Sequence, residues 1–287
     1  MAAMDPQTLA YLDKAFLESD DARPLRILAE YLEPLKRFKE QHIHDTVAFF
    51  GSARIRSHAE ANEALVRFRE EARPTDADFV KRLGQAEKAV EWSRYYEESR
   101  ALAGMLTGWS KSLDAEHDRF VVCSGGGPGI MEAANRGAFE AGGKSIGLNI
   151  RLPFEQGANR YITEGLGFEF HYFFMRKFWF AYLAKALVVF PGGFGTLDEM
   201  FEVLTLVQTQ KLDRRIQVIL YGSEYWDSVI KLDPMEEWGA INAEDQELVQ
   251  RADTPEDAMA LLTAHLTTHH LEPDCPVTEP ALAKTRS

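Results

Sequence analysis

The sequence predicts a Rossmann-like α/β fold, a parallel sheet covered by helices on both faces, with a helical N-terminal extension. Three observations predict it. Apolar runs of strand length alternate with amphipathic stretches of helix length through the second half of the chain. Those runs are apolar throughout, as strands buried on both faces are. Three of them end in glycine-containing turns, Gly51-Ser52, Ser124 to Gly129 and Pro191 to Thr196, and in such a sheet ligands bind at the carboxyl ends of the strands. The expected organisation is a helical extension over 1–44, one Rossmann-like domain over 45–271 and a flexible tail over 272–287.

Each element has its own signal. In the extension, Leu25, Leu28, Tyr31 and Leu32 recur at helical spacing after Pro24. Thr46 to Phe50 is β-rich and stops at Gly51-Ser52, which reads as a buried strand and a tight turn. Residues 56–82 are charged and weakly periodic, broken at Pro74-Thr75-Asp76, and read as an insertion or a pair of short helices. From Gln85 to Leu113, Val90, Trp92, Tyr95, Leu102, Leu106 and Trp109 predict one long amphipathic helix. There follow a strand at Arg119 to Cys123, a helix at Ile130 to Ala141, a strand at Ser145 to Ile150, an extended piece at Phe168 to His171 and a helix at Tyr172 to Ala184. Strand Ala186 to Phe190, helix Thr196 to Gln210, strand Ile216 to Tyr221 and helix Ala258 to Leu266 complete the pattern. Pro273, Pro276 and Pro280 mark the tail as poorly ordered.

Composition removes several classes of function. The chain has 287 residues, 45% of them hydrophobic, enough for a sizeable core. Its formal charge of −13 argues against nucleic acid and membrane partners, both of which need a basic face, so any phosphate site must be local. Cys123 and Cys275 are the two cysteines, too few for a disulfide framework and without zinc spacing. No basic region leads into an apolar run after Met1, and no apolar stretch approaches the ~20 residues that span a bilayer. A cytoplasmic protein is expected.

The two longer glycine turns carry the chemistry. Ser124, Gly125, Gly126, Gly127, Pro128 and Gly129 stand between a strand and a helix, where backbone N–H groups can face an anion. Gly192, Gly193, Phe194, Gly195 and Thr196 repeat the arrangement after Pro191, with Thr196 placed to cap the helix or to bond phosphate. Glycines also make plain strand-to-helix turns; two such loops together make that reading the weaker one. The dinucleotide pattern G-x-G-x-x-G with a later acidic residue is absent, since the next strand runs into Asn149, Ile150 and Arg151. Ala138 to Ser145 imitates a phosphate-binding loop but lies between a helix and a strand, the reverse of the required order. A mononucleotide fits best. His265 and His269 have zinc-pair spacing, with His270 beside them, but no H-E-x-x-H, and read as a solvated helix end. Cys123 reads as a small buried residue.

The run Pro191-Gly192-Gly193-Phe194-Gly195-Thr196-Leu197-Asp198-Glu199 resembles the P-G-G-x-G-T-x-x-E motif of the LONELY GUY family, long labelled lysine decarboxylase-like. Ser124 to Met131 with Glu132 to Gly137 is similar to the family's other glycine loop, Met175-Arg176-Lys177 to its M-x-x-R-K element in shortened form, and Gly51-Ser52 to its first strand-end turn. The resemblance covers about 45–265 and marks a longer bacterial-type relative of the short plant members. It implies hydrolysis of the N-glycosidic bond of a nucleoside 5′-monophosphate, AMP or a cytokinin riboside monophosphate, by a homodimer or larger homo-oligomer without metal or organic cofactor. Glu199 and Arg176 are implied as catalytic. Gly51, Ser52, Ser124, Gly125, Gly126, Gly127, Gly129, Met131, Glu132, Lys177, Gly192, Gly193, Gly195 and Thr196 are implied as substrate-binding. An oxocarbenium-like sugar calls for a carboxylate beside the ribose, which suits Glu199. Asp198, Glu199 and Glu202 could instead complement the helix dipole, and a non-catalytic nucleotide-binding or carrier protein is the alternative. A decarboxylase would need a Schiff-base lysine that nothing in the sequence identifies.

Overall fold

Seven parallel strands form the sheet: β1 (Thr46–Phe50), β2 (Val121–Ser124), β3 (Ser145–Ile150), β4 (Gly167–Phe170), β5 (Ala184–Val189), β6 (Gln217–Tyr221) and β7 (Val249–Ala252), in the order β4-β3-β2-β1-β5-β6-β7. This is a computed structural model, which describes residues 9–113, 118–152, 157–212 and 216–271. The expected flexible tail and residues 1–8 lie outside the described residues. The helices are α1 (Lys14–Glu18), α2 (Arg23–Glu40), α3 (His58–Glu71), α4 (Phe79–Trp92), α5 (Arg94–Ser112), α6 (Ile130–Glu140), α7 (Phe173–Leu183), α8 (Phe194–Gln208), α9 (Ser223–Val229), α10 (Asp233–Glu237), α11 (Ala243–Gln246) and α12 (Pro255–Leu266). The Rossmann-like α/β architecture predicted from sequence is therefore present.

The strands explain the two-sided core. Along β1, Val47 and Phe49 pack with α5, α6 and α12, while Ala48 and Phe50 pack with α7 and α8 on the other face. Both faces of the central strands are covered, which is why these segments are apolar without alternation. The connections run outward to β4 on one side of β1 and from β5 to β7 on the other. The switch in direction thus falls between β1 and β5, and a crevice opens at their carboxyl ends.

Helix α2, the longest helix among the described residues of the N-terminal segment, is built into this frame. Trp179 of α7 donates its indole N–H to the Glu30 carbonyl at 2.8 Å, and Tyr31 stacks on the same indole. The Glu30 carboxylate accepts the backbone N–H groups of His171 (2.8 Å) and Tyr172 (3.3 Å), which lead into α7. A carboxylate there also complements the helix dipole. Helix α2 therefore fixes the start of α7, the helix that carries Arg176.

The single helix expected over Gln85 to Leu113 is in fact two, α4 and α5, meeting at Ser93. The fully buried Ser93 hydroxyl donates to the Val90 carbonyl at 2.6 Å and contacts His58 Nδ1 at 2.9 Å. A serine bonding back to its own helix bends it there, and hydrophobic periodicity carries straight across such a bend. The charged segment before it forms the helix pair α3 and α4, with Phe68 and Phe79 stacked 5.5 Å apart. Strand β7 and helices α9, α10 and α11 were not anticipated; they are short, and β7 is largely exposed.

Candidate active site at the sheet switch point

All three glycine-containing turns stand side by side, because β2, β1 and β5 are neighbours in the sheet. Between the turns after β1 and β5 lies a cleft of about 660 Å³. Of the residues singled out in the sequence, Gly51, Ser52, Met131, Arg176, Gly192, Gly193, Gly195, Thr196 and Glu199 line it. Gly193 is the N-cap of α8, so the first N–H groups of this 15-residue helix open on the cleft. Thr196, proposed from sequence as a cap or a phosphate contact, is not the cap: it is the third residue of the helix, buried against Gly192. The reason is that the glycine backbone at 193 enters the helix earlier than the side-chain pattern indicated.

Arg176 and Glu199 meet in this cleft. Arg176 donates through Nε to the Leu148 carbonyl at 2.8 Å and through Nη1 to Glu199 Oε1 at 3.2 Å. Their side chains are 13% and 8% exposed, so the pair is nearly dry. Burial pushes the Glu199 carboxyl above its ordinary range, against the opposing charges of Arg176 and Lys177. Burial likewise lowers the Arg176 guanidinium, against the pull of Glu199. The guanidinium lies under the first glycine loop: a Cβ at Gly125 would stand 2.8 Å from Nη2 and 2.6 Å from the Met131 sulfur. Gly125 thus lets the backbone cover the arginine.

Lys177 turns away to bond Asp198 at 2.8 Å and Glu202 at 2.9 Å. Burial alone would lower its pKa, but the two carboxylates outweigh it and the net shift is upward. Asp198 and Glu202, one helical turn apart, are therefore neutralised along one edge of α8, leaving Glu199 as the carboxylate turned toward Arg176.

The first glycine loop is held by polar side chains. Ser124 Oγ accepts the Gly126 N–H at 3.0 Å and donates to Asn135 Oδ1 at 2.7 Å. Asn159 donates through Nδ2 to the carbonyls of Gly126 (3.0 Å) and Gly127 (3.1 Å) and to Asn135. Gly129 has φ +72°, and a Cβ there would stand 2.4 Å from the Ser52 carbonyl, so this corner locks the first two turns together. Ser124, Gly125, Gly126, Gly127 and Gly129 thus shape the cleft from beneath without lining it. Glu132 is not brought to the pair: its carboxylate accepts the Tyr96 hydroxyl at 2.9 Å and faces a separate hollow with Arg56 and Glu60.

Sequence reasoning missed Arg54, Phe173, Phe194 and Tyr225 at the cleft and Asn159 behind it. Tyr225 donates its hydroxyl to the Gly192 carbonyl at 2.7 Å, bracing the second glycine loop from α9. Asn159 acts on partners 24 to 33 positions away, a separation that no local pattern reports. Cys123 is buried and its thiol is pushed up by that burial, the state of an unreactive core residue. The rings of His265 and His269 lie 4.7 Å apart, and no group of three metal-ligating side chains occurs among the described residues. No helix among them is long and apolar enough to cross a membrane.

The family model described as possible lysine decarboxylase matches residues 131–262. Two proteins of Oryza sativa subsp. japonica, each named a probable cytokinin riboside 5′-monophosphate phosphoribohydrolase, are 28% identical over 158 residues and 25% identical over 154 residues. Each match covers 52% of this chain; it spans 61% of the first relative's length and 70% of the second's. Among solved structures, a molybdenum cofactor binding protein from Rippkaea orientalis is 18% identical, with a TM-score of 0.45 over 78% of this chain and 99% of that one. The Moco carrier protein from Chlamydomonas reinhardtii is 17% identical, with a TM-score of 0.44 over 78% and 98%. Pyridoxal phosphate chemistry would need a lysine in the cleft; the described residues that line it include none, and neighbouring Lys177 is tied to two carboxylates. Across 131–262 this chain is thus similar to the family described as possible lysine decarboxylase and to the two rice proteins, in keeping with the LONELY GUY resemblance carried by the glycine loop that runs into Glu199.

Proposed function

We infer that the protein hydrolyses the N-glycosidic bond of a nucleoside 5′-monophosphate, with AMP the first candidate and a cytokinin riboside monophosphate the second, to free base and ribose 5-phosphate. The observation that carries this reading is the nearly dry Arg176–Glu199 pair beside the glycine-rich N-terminus of α8. The phosphate is held at Gly192 to Thr196 by backbone N–H groups and the helix dipole. The ribose then lies toward Glu199. As the bond from C1′ to the base nitrogen breaks, its electron pair leaves with the base and positive charge grows on the sugar; the Glu199 carboxylate stabilises that charge. Water attacks C1′, Glu199 takes a proton from it and returns that proton to the departing base, which leaves the carboxylate ionised again. Arg176, itself fixed by Leu148, holds the carboxylate in place.

The test is chromatography of free base and ribose 5-phosphate after incubation with AMP, GMP, CMP, UMP and a cytokinin riboside monophosphate. Release from at least one is expected. Because burial raises Glu199, the acidic limb of kcat/KM should lie above the ordinary glutamate range, with activity gained as the carboxylate ionises. Binding without release from any nucleotide would make the protein a nucleotide binder or carrier instead.

The reading places the reaction in the cytoplasm and in a homo-oligomer. Phe194, 92% exposed, and Phe173, 51% exposed, stand at the cleft, where a second copy covering them would also close the site to water. Sedimentation should give a dimer or larger assembly, and Phe194→Asp should shift it toward monomer. A monomeric wild type would remove this part of the reading.

A further inference from the structure

The cleft does not end at the phosphate loop. A second compartment of about 380 Å³ adjoins it and shares Ser52, Arg54, Gly192, Gly193 and Tyr225 with it. It reaches neither Thr196, Glu199 nor Arg176. Helix α4 supplies its far wall through Gln85, Lys88, Ala89 and Trp92, with Ile55 at its base. With a nucleoside 5′-monophosphate seated as proposed above, phosphate at the loop and sugar toward Glu199, this space borders the phosphate end of the ligand, since Gly192 and Gly193 line both compartments and Glu199 only the first. A ligand continued through its phosphate would reach it.

We propose that the two compartments together take a pyrophosphate-linked nucleotide that carries an aromatic group, with the second phosphoryl at Arg54 and the aromatic group against Trp92 and Tyr225. This rests on the placement of the nucleotide phosphate given above and goes beyond it in naming a second ligand class. Three observations support it. Arg54 lines both compartments, is exposed, and its guanidinium pairs with no carboxylate among the described residues. In a chain of net charge −13, an unpaired guanidinium at the junction is a local seat for an anion. Second, Trp92 meets Tyr225 edge to face, with centroids 5.4 Å apart and planes at 87°. The tyrosine is bonded in turn to Gly192, so this aromatic wall is fixed in register with the phosphate loop. Third, the compartment is mainly apolar, with Lys88 as the one further cation among the described residues that line it; its ammonium lies 5.9 Å from the Trp92 ring centroid and bonds Glu91. A bare second phosphate would leave that wall unused, whereas a planar ring uses both. The absent G-x-G-x-x-G fingerprint does not bear on this arrangement, because the far half of the ligand would be met by α4 rather than by a glycine loop.

The test is calorimetric titration of AMP, ADP and NAD into the 287-residue chain carrying Glu199→Gln, so that turnover is slow against the titration, with and without Ala89→Trp. Ala89 is exposed on α4, so the larger ring fills the compartment without entering the core. NAD should bind at least about tenfold tighter than AMP, with ADP between them, and Ala89→Trp should bring the NAD to AMP ratio to about one. A ratio near one in the parent chain, a ratio untouched by Ala89→Trp, or no binding of any of the three overturns the proposal. Base release from AMP by wild type is read separately: hydrolysis with a ratio of one rejects only the second compartment, and a ratio that responds to Ala89→Trp without hydrolysis rejects only the hydrolase.

Discussion

Glu199→Gln should lower base release from AMP by about 10³-fold while the nucleotide still binds. The amide keeps the shape of the side chain and an oxygen that can accept from Arg176, so the geometry of the pair survives. In the proposed mechanism, what disappears is the charge that stabilises an oxocarbenium-like sugar and the basicity that takes a proton from water. The loss should therefore fall on kcat, with KM little changed, because the proposed seating gives the phosphate its ground-state contacts at Gly192 to Thr196 rather than at the carboxylate. Glu199 could alternatively serve only to neutralise Arg176 in a dry site, since that cation is 13% exposed and needs a counter-charge. In that case Glu199→Gln would lower thermal stability and leave base release within about tenfold of wild type. Measuring both the single-turnover rate and the melting temperature separates the two roles.

Asp45→Ala should destabilise the fold by about 3 kcal/mol or more at neutral pH. Asp45 is fully buried at the start of β1 and bonds Arg119 Nε at 2.7 Å, His44 Nδ1 at 3.2 Å and the Phe120 N–H. Arg119 also donates to the His270 carbonyl at 3.0 Å, so this carboxylate ties β1 and the approach to β2 to the segment after α12. Removing it leaves a guanidinium, 17% exposed, without its charge partner. Burial works to raise the Asp45 pKa, but the His44 hydrogen bond, the Arg119 charge and the Phe120 N–H outweigh it, and the carboxyl is held below its ordinary value. A folded-state pKa below the unfolded one gives stability that is present above the unfolded value of about 4 and is lost as pH falls through the folded value. Urea unfolding should therefore show the full difference between wild type and Asp45→Ala at pH 7 and pH 5, narrowing below about pH 4. A difference under about 1 kcal/mol at pH 7 would mean that water or a rearranged Arg119 replaces the carboxylate.

The fold class, the seats of the three glycine turns and the motif ending in Glu199 were determined by the sequence alone. Strands buried on both faces must be apolar at every position, and tight strand-to-helix turns select glycine, so both features are written locally. Tertiary structure decided which of the candidate side chains meet. Arg176 and Glu199 are 23 positions apart, and only the packing of α7 under the first glycine loop brings them together. The same packing sends neighbouring Lys177 to Asp198 and Glu202, a separation of fates between adjacent residues that a motif cannot express. Glu132 follows its glycine loop in sequence yet faces Tyr96, because α6 turns that side chain to the opposite side of Gly129 from the cleft. Asn159, Tyr225 and Trp92 lay outside every motif because each acts across the fold, where hydrogen bonds and ring contacts depend on which elements pack together and not on spacing along the chain. Ser93 shows the converse limit: apolar periodicity runs on through it, while the helix breaks where one buried hydroxyl bonds back to its own helix, before α4 and the second glycine loop come to line one space.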